Sequence, residues 1–222
     1  DEYKVFASQS LFRVPYEDVT KDQRQISKSA VLGCMFGQGA KGLVEYAKGM
    51  GVSLNLVQSK NAVDNYRASY PKVKALWYAC EDAAIQAVQS PGVAIQANNK
   101  IVMKCDKGAL WMRLPSGRLI CWQRPMLESV MTPWGAEKLA VTVHSQNTFT
   151  RTWTRNALIG SSIFQSAVQG TARDFLAMAM LNLEDKGYRI CNSIHDEVLL
   201  LIDEVDQDTA LDDVIKIMTT PP

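Results

Sequence analysis

The sequence is poor in most features that would assign it to a special class. It has no apolar run near the ~20 residues that a membrane-spanning helix needs, so no membrane partner is expected. It has no strong charge of either sign: 24 Lys and Arg face 23 Asp and Glu, a formal net charge of +1. Any contact with a polyanion must therefore come from local patches. Its five cysteines, Cys34, Cys80, Cys105, Cys121 and Cys191, are odd in number and scattered, without paired CxxC spacing. That excludes a disulfide framework and a zinc site, and it points to reduced thiols in a cytoplasm. His144 has no metal-ligand spacing around it and reads as structural or exposed. The opening Asp1-Glu2-Tyr3-Lys4 does not read as a signal peptide, so a secreted protein is not expected. With no initiator Met, and with an end at Thr219-Thr220-Pro221-Pro222, the sequence reads as a fragment at both ends. What it does have is 47% hydrophobic residues over 222 positions, enough to bury the core of one large domain or two small ones.

Periodicity divides the chain. The first 92 residues are helical: a short helix over Tyr3–Phe12, a helix over 22–37 with Thr20 as its N-cap, a short helix and loop over 41–60, and a helix carrying Val63, Tyr66 and Tyr70 that stops at Pro71. Val73, Leu76, Trp77, Cys80, Ala84, Ala87 and Val88 recur at spacings of three and four, which gives a core-facing helix ended by Ser90-Pro91-Gly92. Residues 94–122 change to period two. Ile101–Cys105, Ala109–Leu114 and Leu119–Trp122 form a β-meander with turns at Asp106-Lys107-Gly108 and Pro115-Ser116-Gly117. This meander is rich in Lys and Arg, with Trp111 and Trp122 interleaved; a nucleic-acid groove and a sheet with a charged outer face fit it equally. Over 125–156 only Ala140–His144 reads as a strand. A long helix over 162–186 ends at Gly187, with Phe164, Val168, Phe175, Leu176, Ala179 and Leu183 as its apolar stripe. The acidic residues after Ile202 read as the solvated face of a last helix.

Two stretches carry chemistry. In the first, Arg24, Lys28, Leu32 and Phe36 stand at i, i+4, i+8 and i+12, so two cations, an aliphatic and an aromatic share one ridge. Cations for phosphates beside an apolar shelf for sugar and base suit a nucleoside triphosphate. Gly33 and Gly37 flank the ridge and imply close approach of another group. In the second, the apolar run 188–202 is interrupted by His195-Asp196-Glu197, where a strand pair turns. Buried carboxylates need a partner, and a hard cation such as Mg²⁺ is the natural one. Gln165, Gln169 and Arg173 line a polar face of the long helix; amide side chains can donate to acceptors that every base pair offers in the minor groove.

Three stretches in order resemble family A DNA polymerases of phage type: Arg24-x₃-Lys28-x₃-Leu32-Gly33-x₂-Phe36-Gly37 the fingers helix, Gln169-Gly170-Thr171-Ala172-Arg173-Asp174 a palm helix, and His195-Asp196-Glu197 the palm motif that holds a catalytic carboxylate. The resemblance implies an α+β fold with right-hand polymerase fingers helices and part of an antiparallel palm sheet. It implies a fingers-like region over 1–92 with the nucleotide-binding helix 22–37. The palm-like region over 93–222 would hold the meander, the DNA-contacting helix 162–186 and the metal-site hairpin 188–202. The implied activity is transfer of a deoxynucleoside triphosphate (dNTP) to a primer 3′-OH on primer-template DNA, with two Mg²⁺ ions, in the cytoplasm of a bacterium or phage-infected host. On this resemblance Asp196 and Glu197 serve the metal, and Arg24 and Lys28 bind the triphosphate. Lys28 also assists the leaving pyrophosphate, and Leu32 and Phe36 pack on the nucleotide. Gln165, Gln169, Arg173, His195 and Gly37 meet DNA.

Four departures qualify the match. The family's first palm motif, with another metal-binding Asp, has no counterpart, so the isolated chain is expected to be inactive without a separate upstream segment. Leu32 stands where an aromatic is usual, Phe36 where Tyr is usual, and Gln165 where Asn is common. Two alternatives remain: a single-subunit phage-type RNA polymerase, against which Glu197 speaks because Ser is usual there, and a non-catalytic DNA-binding half of a split polymerase.

Overall fold

In a computed structural model, described over residues 1–132, 135–147 and 150–220, the N-terminal helices form where caps and apolar spacing place them. Helix α1 (Glu2–Phe6) runs into a single π turn at Ala7–Leu11. Helix α2 (Lys21–Met35) starts in a capping box: Gln23 N–H donates to Thr20 Oγ1, and Thr20 N–H donates to Gln23 Oε1. Helix α3 (Ala40–Gly49) follows, and α4 (Leu56–Ser69) starts in a second box made by Asn55 and Gln58. Helix α5 (Pro71–Gln89) has its proline in the first turn, where the missing N–H costs nothing. Phe6, Ala30, Val31, Cys34, Leu43, Ala47, Ala62, Val63 and Tyr66 interlock as one core among α1–α4.

The β region is larger than its sequence pattern implies. Six strands, β1 (Ala94–Gln96), β2 (Val102–Asp106), β3 (Ala109–Arg113), β4 (Leu119–Met131), β5 (Glu137–Gln146) and β6 (Trp153–Leu158), pair in sequence order as one antiparallel sheet. Lys107 and Gly108 both take positive φ at the β2–β3 turn, as a two-residue hairpin favours. Helix α5 packs on the sheet, and its Trp77, Cys80, Ala83, Ala84 and Ala87 are buried. Strand β4 holds a bulge between Gln123 and Met126, and β5 is buried on both faces from Ala140 to Val143. The expected three-stranded meander is thus the middle, β2–β4, of a longer one, and the strand expected at Ala140–His144 lies within β5.

Helix α6 (Gly160–Asp185) leads to the hairpin β7 (Arg189–Ile194) and β8 (Glu197–Leu201), a separate two-stranded sheet. A 3₁₀ turn (Glu204–Asp206) and α7 (Gln207–Thr219) close the described chain. Of the apolar stripe expected on α6, Phe164, Ala179 and Leu183 are buried, but Phe175 is 49% exposed. Among the described residues no helix is long and apolar enough to cross a membrane.

Two compact units result. One comprises Asp1–Arg113 and Leu119–Ser166; the other comprises Leu114–Arg118 and Ala167–Pro222. Compactness thus divides the chain elsewhere than the boundary at 92/93, which concerns function.

Candidate functional site

The second unit contains an open cleft of about 830 Å³, lined on α6 by Gln169, Arg173, Phe175 and Met178, and by His195, Asp196 and residues 218–220. The hairpin makes this possible. Ile194 pairs with Glu197, leaving His195-Asp196 as a two-residue loop. His195 takes φ +56°, a left-handed backbone that costs a non-glycine residue on the order of 1 kcal/mol and that recurs at functional sites. A bulge at Cys191 interrupts the ladder just before the loop.

Asp196 and Glu197 are exposed. The expectation that buried carboxylates demand a cation therefore does not apply here; water solvates both. Asp196 lines the cleft, while Glu197 opens β8 and is not among its lining residues. The donor set, two carboxylates with hard oxygens and no thiolate, suits Mg²⁺, which is often held by one or two carboxylates together with phosphates and water. Among the described residues no three His, Cys, Asp or Glu side chains gather closely enough to hold an ion, so the chain offers a partial site.

The surface of α6 is held by a turn that sequence reading identified only as a turn. Arg118 Nε donates to Asp174 Oδ1 at 2.5 Å, and its Nη2 donates to the Gly170 carbonyl at 2.7 Å. Ser116 Oγ donates to Asp174 Oδ2 at 2.5 Å. Asp174 is mostly buried, with a side chain 16% exposed. Its neighbour Arg173 and the Gln169 side chain are exposed. No sequence signal joins positions 56 residues apart.

The cationic ridge lies in the first unit. Arg24, Lys28 and Leu32 lie along α2, all half-buried, and Phe36 caps the helix at φ −100°, ψ 21°. Arg24 Nε pairs with Asp1 Oδ2 at 2.6 Å, and its guanidinium sits 5.4 Å over the Tyr3 ring. The pair is over a third exposed on the Arg24 side; exchange of such a carboxylate for a phosphate costs little. Among the described residues Lys28 forms no ion pair. The group expected to approach Gly33 is the protein itself: a Cβ there would lie 2.8 Å from Leu43 Cδ1. Gly37, at φ +84°, would set a Cβ 2.5 Å from Ser161 Oγ. Trp77 does more than pack: its Nε1 donates to the Met35 carbonyl at 3.1 Å and so fastens the end of α2. Trp111 and Trp122 are half-buried, and the Trp111 indole donates to the Asp106 carbonyl. Gln165, half-buried, stands one helical turn before Gln169 on α6.

No protein-family model matches the chain. A DNA polymerase of Bacillus phage SP02 is 30% identical over 200 residues, which cover 89% of this chain and 30% of that protein. DNA polymerase I of Aquifex aeolicus is 44% identical over 45 residues, covering 20% of the chain and 8% of that protein. Among solved structures, the POL domain of Pol1 from M. smegmatis, in complex with DNA primer-template and dNTP, matches 98% of this chain with 30% of its own length. Its TM-score is 0.55 at 20% identity, a likeness of fold. The chain spans about 30% of the length of the phage polymerase that it matches. The chain is thus similar to DNA polymerases over most of its own length.

Proposed function

We propose that this chain is the nucleotide- and DNA-handling portion of a template-directed DNA polymerase, which extends a primer 3′-OH with dNTPs. The observation that carries the reading is the joint lining of one open cleft by Gln169, Arg173, His195 and Asp196, drawn from two motifs of the resemblance. Both curated relatives are DNA polymerases, which favours DNA over RNA synthesis, as Glu197 does.

In this reading Lys28 and Arg24 take the phosphate tail, Arg24 by exchanging Asp1 for phosphate oxygens, and Leu32 and Phe36 pack on sugar and base. Lys28 would stabilise or protonate the leaving pyrophosphate. Gln169 and Gln165 donate to minor-groove acceptors, Arg173 meets a phosphate, and His195 and Gly37 border the primer-template. Asp196 would hold Mg²⁺, with Glu197 a nearby second carboxylate that helps position metal or primer; the ion when bound offsets the charge on the transferring phosphoryl group. A further carboxylate ligand would come from a separate upstream segment. An open hairpin of two strands, with Leu199 48% and Leu201 58% exposed, supports such a segment, because an isolated pair of strands is marginal in water. The fingers-like and palm-like roles of 1–92 and 93–222, and a cytoplasmic setting in a bacterium or phage-infected host, belong to the same reading.

The test is reconstitution. The chain alone should bind primer-template without extending it. Adding the upstream segment of a matching polymerase should give Mg²⁺-dependent extension. Asp196→Ala should abolish that extension and leave DNA binding within about twofold; undiminished extension by Asp196→Ala refutes the assignment.

A further inference from the structure

In the first unit, the end of the β5–β6 pair carries an aromatic side chain that the fold leaves uncovered. Trp153 is 60% exposed, the most exposed large aromatic among the described residues. It is nevertheless fixed in place. Its ring stacks on His144, with centroids 5.4 Å apart and planes 24° from parallel. The register accounts for this: Trp153 lies opposite Gln146 and Arg155 opposite His144, so all four side chains share one face. Arg155 is anchored beside the stack. Its Nη1 donates to the Arg124 carbonyl at 3.0 Å, the Thr142 carbonyl at 3.2 Å and Thr142 Oγ1 at 3.1 Å. Arg124, Arg151 and Arg155 form no ion pair among the described residues. The carboxylate on this part of β4, Glu128, accepts from the Thr142 hydroxyl instead.

A flat aromatic pair with Arg155 beside it and Arg151 two residues before Trp153 in the chain, neither of them in an ion pair among the described residues, selects its occupant. An apolar protein surface would cover the indole but leave the guanidinium charge unanswered. A nucleotide answers both, with its base stacking on the ring and its phosphate meeting arginine. We propose that the His144–Trp153 stack, with Arg151 and Arg155, is a platform for an unpaired base of single-stranded nucleic acid. The strand's identity as the unpaired template rests on the polymerase reading; the platform does not.

The test uses the full chain and three fluorescein-labelled probes: a hairpin primer-template with a 5′ overhang, the same hairpin with a blunt end, and oligothymidylate. Anisotropy at fixed salt gives the affinities. Wild type should prefer the overhang to the blunt end. Trp153→Ala should lose about tenfold on the overhang and on oligothymidylate, stay within about twofold on the blunt hairpin, and melt like wild type. Trp153→Phe should keep most of the affinity. Arg151→Ala should lower the slope of log affinity against log salt by about one. Equal binding of the overhang by Trp153→Ala and wild type overturns the platform and leaves the polymerase reading standing. An equal loss on all three probes marks a structural effect and also overturns it. Trp153-dependent binding of oligothymidylate with no extension after reconstitution upholds the platform and removes the polymerase reading. A wild type that binds no probe overturns both.

Discussion

Gly160 is the position where one methyl group should do the most damage. It opens α6 with its Cα against the backbone of α5. A Cβ there would lie 2.0 Å from the Trp77 carbonyl oxygen, 2.8 Å from its carbonyl carbon and 3.1 Å from Glu81 Cβ. Carbon and oxygen without a bond between them rest at about 3.3 Å or more. The obstacle is helix backbone, which cannot swing aside as a side chain can, so α5 and the start of α6 must separate by roughly an ångström. Forced overpacking of this kind costs about 1–3 kcal/mol. The same shift strains the Trp77 indole bond to the Met35 carbonyl, worth about 1 kcal/mol. The intrinsic helical gain of Ala over Gly, at most about 1 kcal/mol, offsets part of this. Gly160→Ala should therefore destabilise the first unit by about 1–3 kcal/mol. Tryptophan fluorescence in a urea titration reads this unit alone, since all five tryptophans of the sequence fall within its segments. Gly49→Ala is the control: nothing lies within 4 Å of the position its methyl group would take, and it sits at the end of α3, so the change should be neutral or stabilising. A Gly160→Ala midpoint equal to that of Gly49→Ala would refute the argument.

Two further predictions use different probes. Arg118→Ala removes both prongs of the hold on Asp174 and Gly170. The Arg118 side chain is 45% exposed, so the loss is discounted to about 1 kcal/mol. Hydrogen exchange of the α6 amides around 170–174 should quicken roughly fivefold, with Arg118→Lys intermediate; unchanged protection would count against the hold. Alkaline pH should loosen the helical core. Burial pushes the Cys34 thiol from 9.0 up to about 12 and the Cys80 thiol to about 11, with Arg67 lowering Cys34 slightly. Raised folded values mean that this stability is complete below pH 9 and is lost as pH rises from 9 towards 11–12. At pH 10 each thiol should cost on the order of 1.4 kcal/mol. Cys34→Ala with Cys80→Ala should flatten that loss between pH 8 and 10, and an equally steep loss in the double variant would exclude the thiols as its cause.

Helices were legible where two local signals agreed. Thr20 and Gln23 mark the start of α2 before any tertiary contact is considered, and Asp106-Lys107-Gly108 marks a turn because only its residue types tolerate the backbone it needs. Residues 140–143, buried on both faces of β5, read as a strand from their apolar run alone, while the more polar ends of β5 at 137–139 and 145–146 did not extend it. The bulge near Arg124 shifts the phase of β4, so a period-two reading ends at Trp122. Phe175 misled in the opposite way: its spacing fits an apolar stripe, yet it is half exposed and lines the cleft.

The candidate site shows a deeper limit. Asp196 and Glu197 are adjacent in sequence, which suggests two carboxylates acting on one ion. In a hairpin that inference weakens. Asp196 is the second residue of the loop, whereas Glu197 is the first residue of a strand, paired with Ile194. Successive residues on leaving a turn point in different directions, and only Asp196 is among the residues lining the cleft. Adjacency thus gives one carboxylate in the cleft rather than a pair. His195, held at positive φ, fixes which one it is, because the backbone direction at the loop decides where the next side chain points. A metal bound at Asp196 would need its remaining protein oxygens from a segment brought in by tertiary structure. Reconstitution with the upstream segment tests that requirement, and Glu197→Gln isolates it. If Asp196 and an outside carboxylate carry the ion, Glu197→Gln should slow extension by tenfold or less while Asp196→Asn abolishes it. Equal loss in both would restore the adjacent pair as the ligand set.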